Sequence, residues 1–246
     1  MRLEQRIGDY VPLDAQFTDE HSRNIQLRDV FGKRPVLLLL VFFKCPGVCT
    51  DEITNLVKVA RDFKKDNVGS TFDVVCLSIE PKETPDLALA KRDLAADFYN
   101  RKGTDAGWHF LVGDKQNIDK VANAVGFKYT RDPLSKNIVH PAGLMVLSPS
   151  GRLTRYFVTT EYPPRVVLDS IRDAAKEKLG VKDDRPFYLA CINIDPMTGQ
   201  QSLNILNVVR LGGIFTVLTL AISIFMMSRG VKKRDQLLAG GFHPRP

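Results

Sequence analysis

An unbroken apolar run occupies residues 36–43, and a polar loop and then a helical pattern follow it. Eight residues are too few to cross a bilayer, which takes about 20, but they suit a strand buried on both faces. Thr50 and Asp51 then offer a helix start, and apolar residues recur after them at helical spacing: Ile53, Leu56, Val57, Ala60 and Phe63. The pattern predicts a buried strand, a loop at its carboxyl end and an amphipathic helix.

The same alternation continues along the chain and sets the predicted fold class. The next elements are a buried strand, a helix, a short strand, a helix, a hairpin and a last helix, at residues 72–79, 85–100, 108–112, 118–125, 143–158 and 164–179. Strands that alternate with helices and close with a hairpin predict an α/β sandwich with a mixed central sheet. We expect this domain to occupy residues 1–180, with residues 1–35 as an irregular entry segment.

A second apolar stretch lies near the C-terminus and has a different character. Residues 211–228 carry no charge, and at about 1.5 Å per residue they would span roughly 27 Å as a helix, close to the ~30 Å of a bilayer core. This predicts a single transmembrane helix within residues 207–228, joined to the domain by a linker at residues 181–206. The alternative is a buried helix, but no further core-forming sequence follows for it to pack into.

The charge distribution supports a membrane orientation and argues against a nucleic-acid partner. The chain carries a net charge of +7, and the tail at residues 229–246 holds a large share of it, through Arg229, Lys232, Lys233, Arg234 and Arg245. By the positive-inside tendency we expect this tail to be cytoplasmic and the folded domain extracytoplasmic, in the periplasm of a bacterium or the intermembrane space of a mitochondrion. A nucleic-acid binder would instead show a basic face on its folded part.

Cys45 and Cys49 are the first candidate functional residues, because they lie where the buried strand passes into the helix. A helix N-terminus favours thiolate over thiol, and thiolate is the form that binds metals and attacks disulfides. Three residues separate the two cysteines, including Pro46 and Gly47, so the loop can turn both sulfurs toward one point. The pair alone is compatible with Cu(I), zinc, a disulfide or simple packing.

His140 is the candidate third ligand. It precedes an apolar strand while Cys45 follows one, so both can lie at the same end of the sheet. Two thiolates and an imidazole would suit copper in both oxidation states, whereas structural zinc usually takes four protein ligands and no fourth is obvious. Single histidines near strand ends are also common without a ligand role.

These residues lie in stretches that resemble the Sco/SenC family, the copper chaperones of cytochrome c oxidase assembly. The loop from Cys45 to Cys49 is similar to the family's Cys-Pro-x-x-Cys motif after a hydrophobic strand. The segment from Ser78 to Pro81 resembles the family's Ser-(Ile/Val)-Asp-Pro turn, and His140 falls where the family places its metal histidine. The resemblance covers roughly residues 10–180, and three features depart from it: Glu80 for Asp, Pro141 after the histidine, and a C-terminal rather than N-terminal anchor.

The resemblance implies a thioredoxin-like fold with an insertion, and copper as the bound metal, with Cys45, Cys49 and His140 as ligands. It further implies delivery of copper to the binuclear copper centre of a cytochrome c oxidase subunit, or reduction of that subunit's cysteines. Two alternatives remain open: a thiol–disulfide oxidoreductase with Cys45 and Cys49 as its catalytic pair, and a permanent subunit of a membrane respiratory complex. The linker residues Cys191 and Asp195 fit either a docking surface for a membrane partner or a plain turn.

Overall fold

The computed structural model describes residues 2–44, 48–133, 138–158, 162–182, 192–194, 201–203 and 212–220. The chain forms two compact units, which are described separately. The first comprises Met1–Arg185 and Asp195–Gly199, and the second comprises Pro186–Ile194 and Gln200–Pro246.

A five-stranded mixed sheet forms the centre of the first unit, as the alternation of elements predicts. Its strands are β4 (Val36–Val41), β5 (Asp73–Ser78), β6 (Trp108–Leu111), β10 (Leu144–Leu147) and β11 (Leu153–Phe157). Their spatial order is β11-β10-β4-β5-β6. The β4, β5 and β6 strands are parallel, whereas β10 runs antiparallel to both β4 and β11.

Helices cover both faces of this sheet, which explains why the central strand β4 is apolar without alternation. The helices are α1 (Val48–Arg61), α2 (Pro85–Tyr99), α3 (Lys115–Ala124) and α4 (Pro164–Ala174). Leu37, Leu39 and Val41 join the apolar core that contains residues of α1, α2 and α4. Val36, Leu38 and Leu40 join a second core with residues of α3 and of the N-terminal segment. One run of sequence therefore supplies two cores.

Short strand pairs surround the sheet, and the sequence analysis did not anticipate them. They are β1 (Arg2–Leu3) with β7 (Phe127–Lys128), β2 (Gln16–Thr18) with β3 (Asn24–Gln26), and β8 (Thr130–Arg131) with β9 (Ile138–Val139). A 3₁₀ turn at Leu27–Val30 follows β3. The expectation of an irregular entry segment was therefore wrong in part, because strands of two or three residues are too short to show a period.

The second unit is described only in short stretches. Strands β12 (Ile192–Ile194) and β13 (Gln201–Leu203) pair antiparallel, and residues 212–220 are helical with exposed side chains. Within these described residues, no helix combines the length and the apolar character that a bilayer span needs. The predicted span at residues 207–228 and the basic tail lie largely outside the described residues, as do Cys191 and Asp195.

Candidate metal centre

The two candidate cysteines lie at the junction of β4 and α1, and the structure describes this junction in part. Cys49 is the second residue of α1, so its backbone lies in the first turn of the helix, where the dipole favours an anionic sulfur. Cys45 and the side chain of Cys49 lie outside the described residues.

Glu83 holds the backbone that leads into the cysteine loop. The peptide N–H of Phe43 donates to Glu83 Oε2 at 2.8 Å, and the N–H of Lys44 donates to Oε1 at 2.7 Å. The Ser78 hydroxyl, at the end of β5, donates to Oε2 at 2.6 Å. Glu83 is only 6% exposed, and its carboxylate satisfies the buried N–H of Phe43 and the partly buried N–H of Lys44. It fixes the chain immediately before Cys45.

The structure brings His140 to the strand end that leads to Cys45. His140 follows β9 and is 7% exposed. Its ring stacks on Phe127 with centroids 5.8 Å apart and meets the edge of Phe42 at 6.1 Å. Because Phe42 lies three residues before Cys45, the histidine and the cysteine loop share one end of the sheet.

The protonation of His140 suits a metal ligand. Its Nδ1 lies 3.0 Å from the carbonyl oxygen of Pro141, and a carbonyl can only accept, so the ring proton is assigned to Nδ1. The lone pair is then on Nε2. Burial lowers the pKa of His140, and the bond to Pro141 opposes this without reversing it, so the ring is neutral at pH 7. Histidine ligands commonly donate their second ring N–H to a carbonyl in this way.

Glu52 links the cysteine helix to the histidine segment, and the sequence analysis missed it. It lies in α1 one turn after Cys49 and is 1% exposed. Its Oε1 accepts a hydrogen bond of 2.8 Å from the N–H of Gly143, three residues after His140. The segment packs closely here, since an added Cβ at Gly143 would lie 2.6 Å from Leu3 Cδ2 and 3.1 Å from the carbonyl oxygen of Phe157. A buried hydrogen bond therefore connects the elements that carry Cys49 and His140.

The other candidates have no comparable setting. Cys76 is free and fully buried in β5, and its pKa is raised first by burial and then by the charge of Glu52. It is therefore an inert core thiol. Trp108 is fully buried, as expected for a core residue. Among the described residues, no three histidine, cysteine, aspartate or glutamate side chains form a group able to hold a metal.

Comparison with known proteins identifies the family of this chain. The SCO1/SenC family model matches residues 9–176. The mitochondrial SCO2 homolog of Bos taurus is 25% identical over 169 residues, which cover 67% of this chain and 58% of that protein. The Homo sapiens homolog is 23% identical over the same shares. The match thus spans less than two thirds of the length of these relatives.

Solved structures show the same thioredoxin-like fold. A protein from Aquifex aeolicus VF5 matches with a TM-score of 0.59 and 23% identity, over 69% of this chain and 95% of that one. Copper-bound ScoI from Arabidopsis thaliana matches with a TM-score of 0.54 and 18% identity, over 70% and 99%. BsSco, a member of the Sco family of cytochrome c oxidase assembly proteins, matches with a TM-score of 0.53 and 17% identity, over 72% and 100%.

Proposed function

Because the chain belongs to the SCO1/SenC family, we propose that it binds copper through Cys45, Cys49 and His140 and serves the copper-bearing subunit of a cytochrome c oxidase. It either delivers copper to the binuclear centre of that subunit or reduces the cysteines that will hold it. The observation that carries the proposal is the neutral, buried ring of His140, packed against Phe42 three residues before Cys45.

The donor set fits copper as cargo. Two thiolates are soft ligands that select Cu(I), and an imidazole adds a donor that Cu(II) also accepts. The hydrogen bond to Pro141 supports the metal-binding tautomer of His140, and the position of Cys49 at the start of α1 supports a thiolate. Copper is present in the related structures of Arabidopsis ScoI and yeast Sco1, and we extend that cargo to this chain.

The residues around the site would hold the three ligands at constant distances from one another. Glu83 anchors the segment before Cys45, and Glu52 joins the helix of Cys49 to the segment after His140. Both carboxylates are buried, and each accepts a hydrogen bond from the backbone. Such a preorganised frame lets copper bind and leave without a large rearrangement of the sheet.

Replacing His140 tests the ligand set at its described member. We expect His140→Phe, which keeps an aromatic ring between Phe42 and Phe127, to weaken Cu(II) binding by about tenfold or more and Cu(I) binding much less. The two thiolates still suit Cu(I), whereas Cu(II) loses its nitrogen donor. The measurement is the visible absorption of the Cu(II) form together with competition titration in both oxidation states.

The matched control is His21→Ala, because His21 pairs with Glu20 and has no proposed part in the site. Its Cu(II) spectrum should equal that of the wild type. An unchanged Cu(II) spectrum in His140→Phe would remove His140 from the ligand set.

A thiol–disulfide oxidoreductase is the second candidate function, favoured by the position of Cys49 in the first turn of α1. Both functions use the same cysteines, so copper stoichiometry and reduction potential must be measured on one preparation. Absence of copper with a reversible Cys45–Cys49 disulfide would favour the oxidoreductase.

A permanent respiratory subunit would instead co-purify with its complex at fixed ratio even without the cysteines.

We further propose that residues 1–180 form the extracytoplasmic domain, residues 181–206 a linker, residues 207–228 a single membrane span and residues 229–246 a cytoplasmic tail. The uncharged stretch at residues 211–228 and the basic residues after it support this arrangement. The full chain should then stay with membranes during alkaline carbonate extraction, whereas a chain truncated after residue 203 should be released. Release of the full chain by carbonate would contradict the anchor.

A further inference from the structure

A cleft of about 450 Å³ opens beside His140, between the turn after β5, the α3 helix and strands β7 to β9. Its apolar lining comes from several elements: Ile79, Ala122, Phe127, Tyr129 and Ile138. Phe127 belongs to this lining and also stacks on His140, with ring centroids 5.8 Å apart. Anything seated in the cleft would therefore lie one aromatic ring away from the proposed copper ligand.

The polar lining of the cleft is predominantly cationic. It contains four basic side chains and two carboxylates: Lys82, Lys115, Lys128, Arg131, Glu80 and Asp119. Both carboxylates already have cationic partners inside the cleft. Arg131 Nη2 lies 2.5 Å from Glu80 Oε2, and Lys115 pairs with Asp119.

The pairing of Glu80 and Asp119 persists at neutral pH. Burial acts to raise the pKa of Glu80, but the hydrogen bond from Arg131, the backbone N–H of Lys82 and the charges of both residues together outweigh it, so the pKa is lowered overall. Burial likewise acts to raise the pKa of Asp119, while Lys115 and the Tyr129 hydroxyl, which donates to Oδ1 at 2.6 Å, lower it overall. Both carboxylates therefore stay ionised and engaged.

Lys82 and Lys128 remain available to attract a negatively charged ligand. Within the described part of the chain, neither lysine forms a direct ion pair, although the charge of Lys82 helps to lower the pKa of Glu80; Lys128 Nζ lies 3.5 Å from Asn123 Oδ1. Both lysines are exposed at the mouth of the cleft. A cleft with an apolar floor and cationic mouth complements a peptide that carries both carboxylates and an apolar side chain.

We propose that this cleft docks an acidic segment of the protein that receives the copper, with an apolar side chain of the segment against the half-buried ring of Tyr129 and its carboxylates at Lys82 and Lys128. The proposal rests on the proposed function, because a receiving protein is expected only if the chain carries copper. Docking here would place the receiving site near His140, and charge attraction would speed the encounter. Inorganic phosphate or polyphosphate would supply negative charge for the two lysines, but neither has an apolar group to contact the floor of the cleft.

The test uses the full chain in detergent and a short fluorescein-labelled peptide in which glutamates flank a leucine, with a glutamine version of the peptide as its neutral match. Binding is followed by fluorescence anisotropy at two salt concentrations. We expect the wild type to bind the glutamate peptide in preference to the glutamine peptide, and more weakly at high salt. The double change Lys82→Glu/Lys128→Glu should lower the affinity by about tenfold or more.

The matched control is Lys64→Glu/Lys65→Glu, an equal charge change at exposed lysines between α1 and β5, away from the cleft. It should retain wild-type affinity within about twofold. The milder pair Lys82→Gln/Lys128→Gln should give an intermediate loss, which guards against a folding defect of the charge-reversal variant. Copper stoichiometry is measured on every variant, because the docking proposal leaves copper binding unchanged.

Three outcomes would overturn the docking proposal: no preference for the glutamate peptide, equal losses in cleft and control variants, or displacement of the peptide by inorganic phosphate at similar concentration. Equal losses would mean general charge attraction, and displacement by phosphate would mean a simple anion site. Failure of the proposed function looks different, since the wild type itself would then bind no copper.

Discussion

Replacing Cys45 or Cys49 with serine is expected to abolish stoichiometric copper binding by the full chain. A serine hydroxyl remains protonated at neutral pH and is a hard donor, so each change removes one of the two soft ligands that select Cu(I). The wild type should retain about one copper per chain after dialysis against a weak chelator, and each variant should retain none. Metal analysis by mass spectrometry of the dialysed protein measures this directly.

Cys76→Ala is the matched control for these cysteine changes. Cys76 is fully buried in β5, and burial raises its pKa, so it offers no thiolate to a metal. Its copper content should equal that of the wild type, although the core change lowers stability modestly. Full copper retention by Cys45→Ser or Cys49→Ser would remove that cysteine from the site.

Replacing Glu83 with alanine is expected to lower the free energy of unfolding by roughly 3 kcal/mol, because it leaves two buried donors, the Phe43 N–H and the Ser78 hydroxyl, without this acceptor. The N–H groups of Phe43 and Lys44 and the hydroxyl of Ser78 all lose their acceptor. The same change releases the backbone before Cys45, so copper affinity should fall even where the protein is folded. Urea unfolding followed by circular dichroism gives the stability, and chelator competition gives the affinity.

Asp97→Ala serves as the comparison for Glu83→Ala. Asp97 is an exposed carboxylate in α2, and its removal should change stability by no more than about 0.5 kcal/mol. The conservative Glu83→Gln change keeps only one carbonyl acceptor, so it should restore part of the loss but not all of it. A loss below about 1 kcal/mol in Glu83→Ala would contradict the proposed anchoring of the loop.

The central sheet and its helices could be predicted from the sequence because its two longest strands, β4 and β5, are apolar enough to show their burial and helical patterns follow them. The run at residues 36–43 indicates a strand covered on both faces, and the structure divides its side chains between two cores. The predicted ends of the elements were less accurate. The first strand ends at Val41 rather than at residue 43, and α4 ends at Ala174 rather than at residue 179. The short strands that place His140 escaped prediction because two residues cannot show a period.

The frame around the candidate site was harder to predict than its ligands. Glu83 bonds to Phe43 and Lys44 across about forty positions of sequence, and nothing in its own surroundings indicates such a partner. Glu52 did leave a signal, because it falls four residues before Leu56 and eight before Ala60, on the apolar face of α1. An acidic residue on that face indicates a buried partner, which proves to be the N–H of Gly143.

The ligand set is tested most directly by X-ray absorption spectroscopy at the copper edge on the Cu(I)-loaded full chain, compared with its His140→Phe variant. Two sulfur donors and one nitrogen donor in the wild type, with the nitrogen lost in the variant, are the predicted result. A copper shell without sulfur, or a nitrogen that persists in the variant, would contradict the assignment of Cys45, Cys49 and His140 as the site.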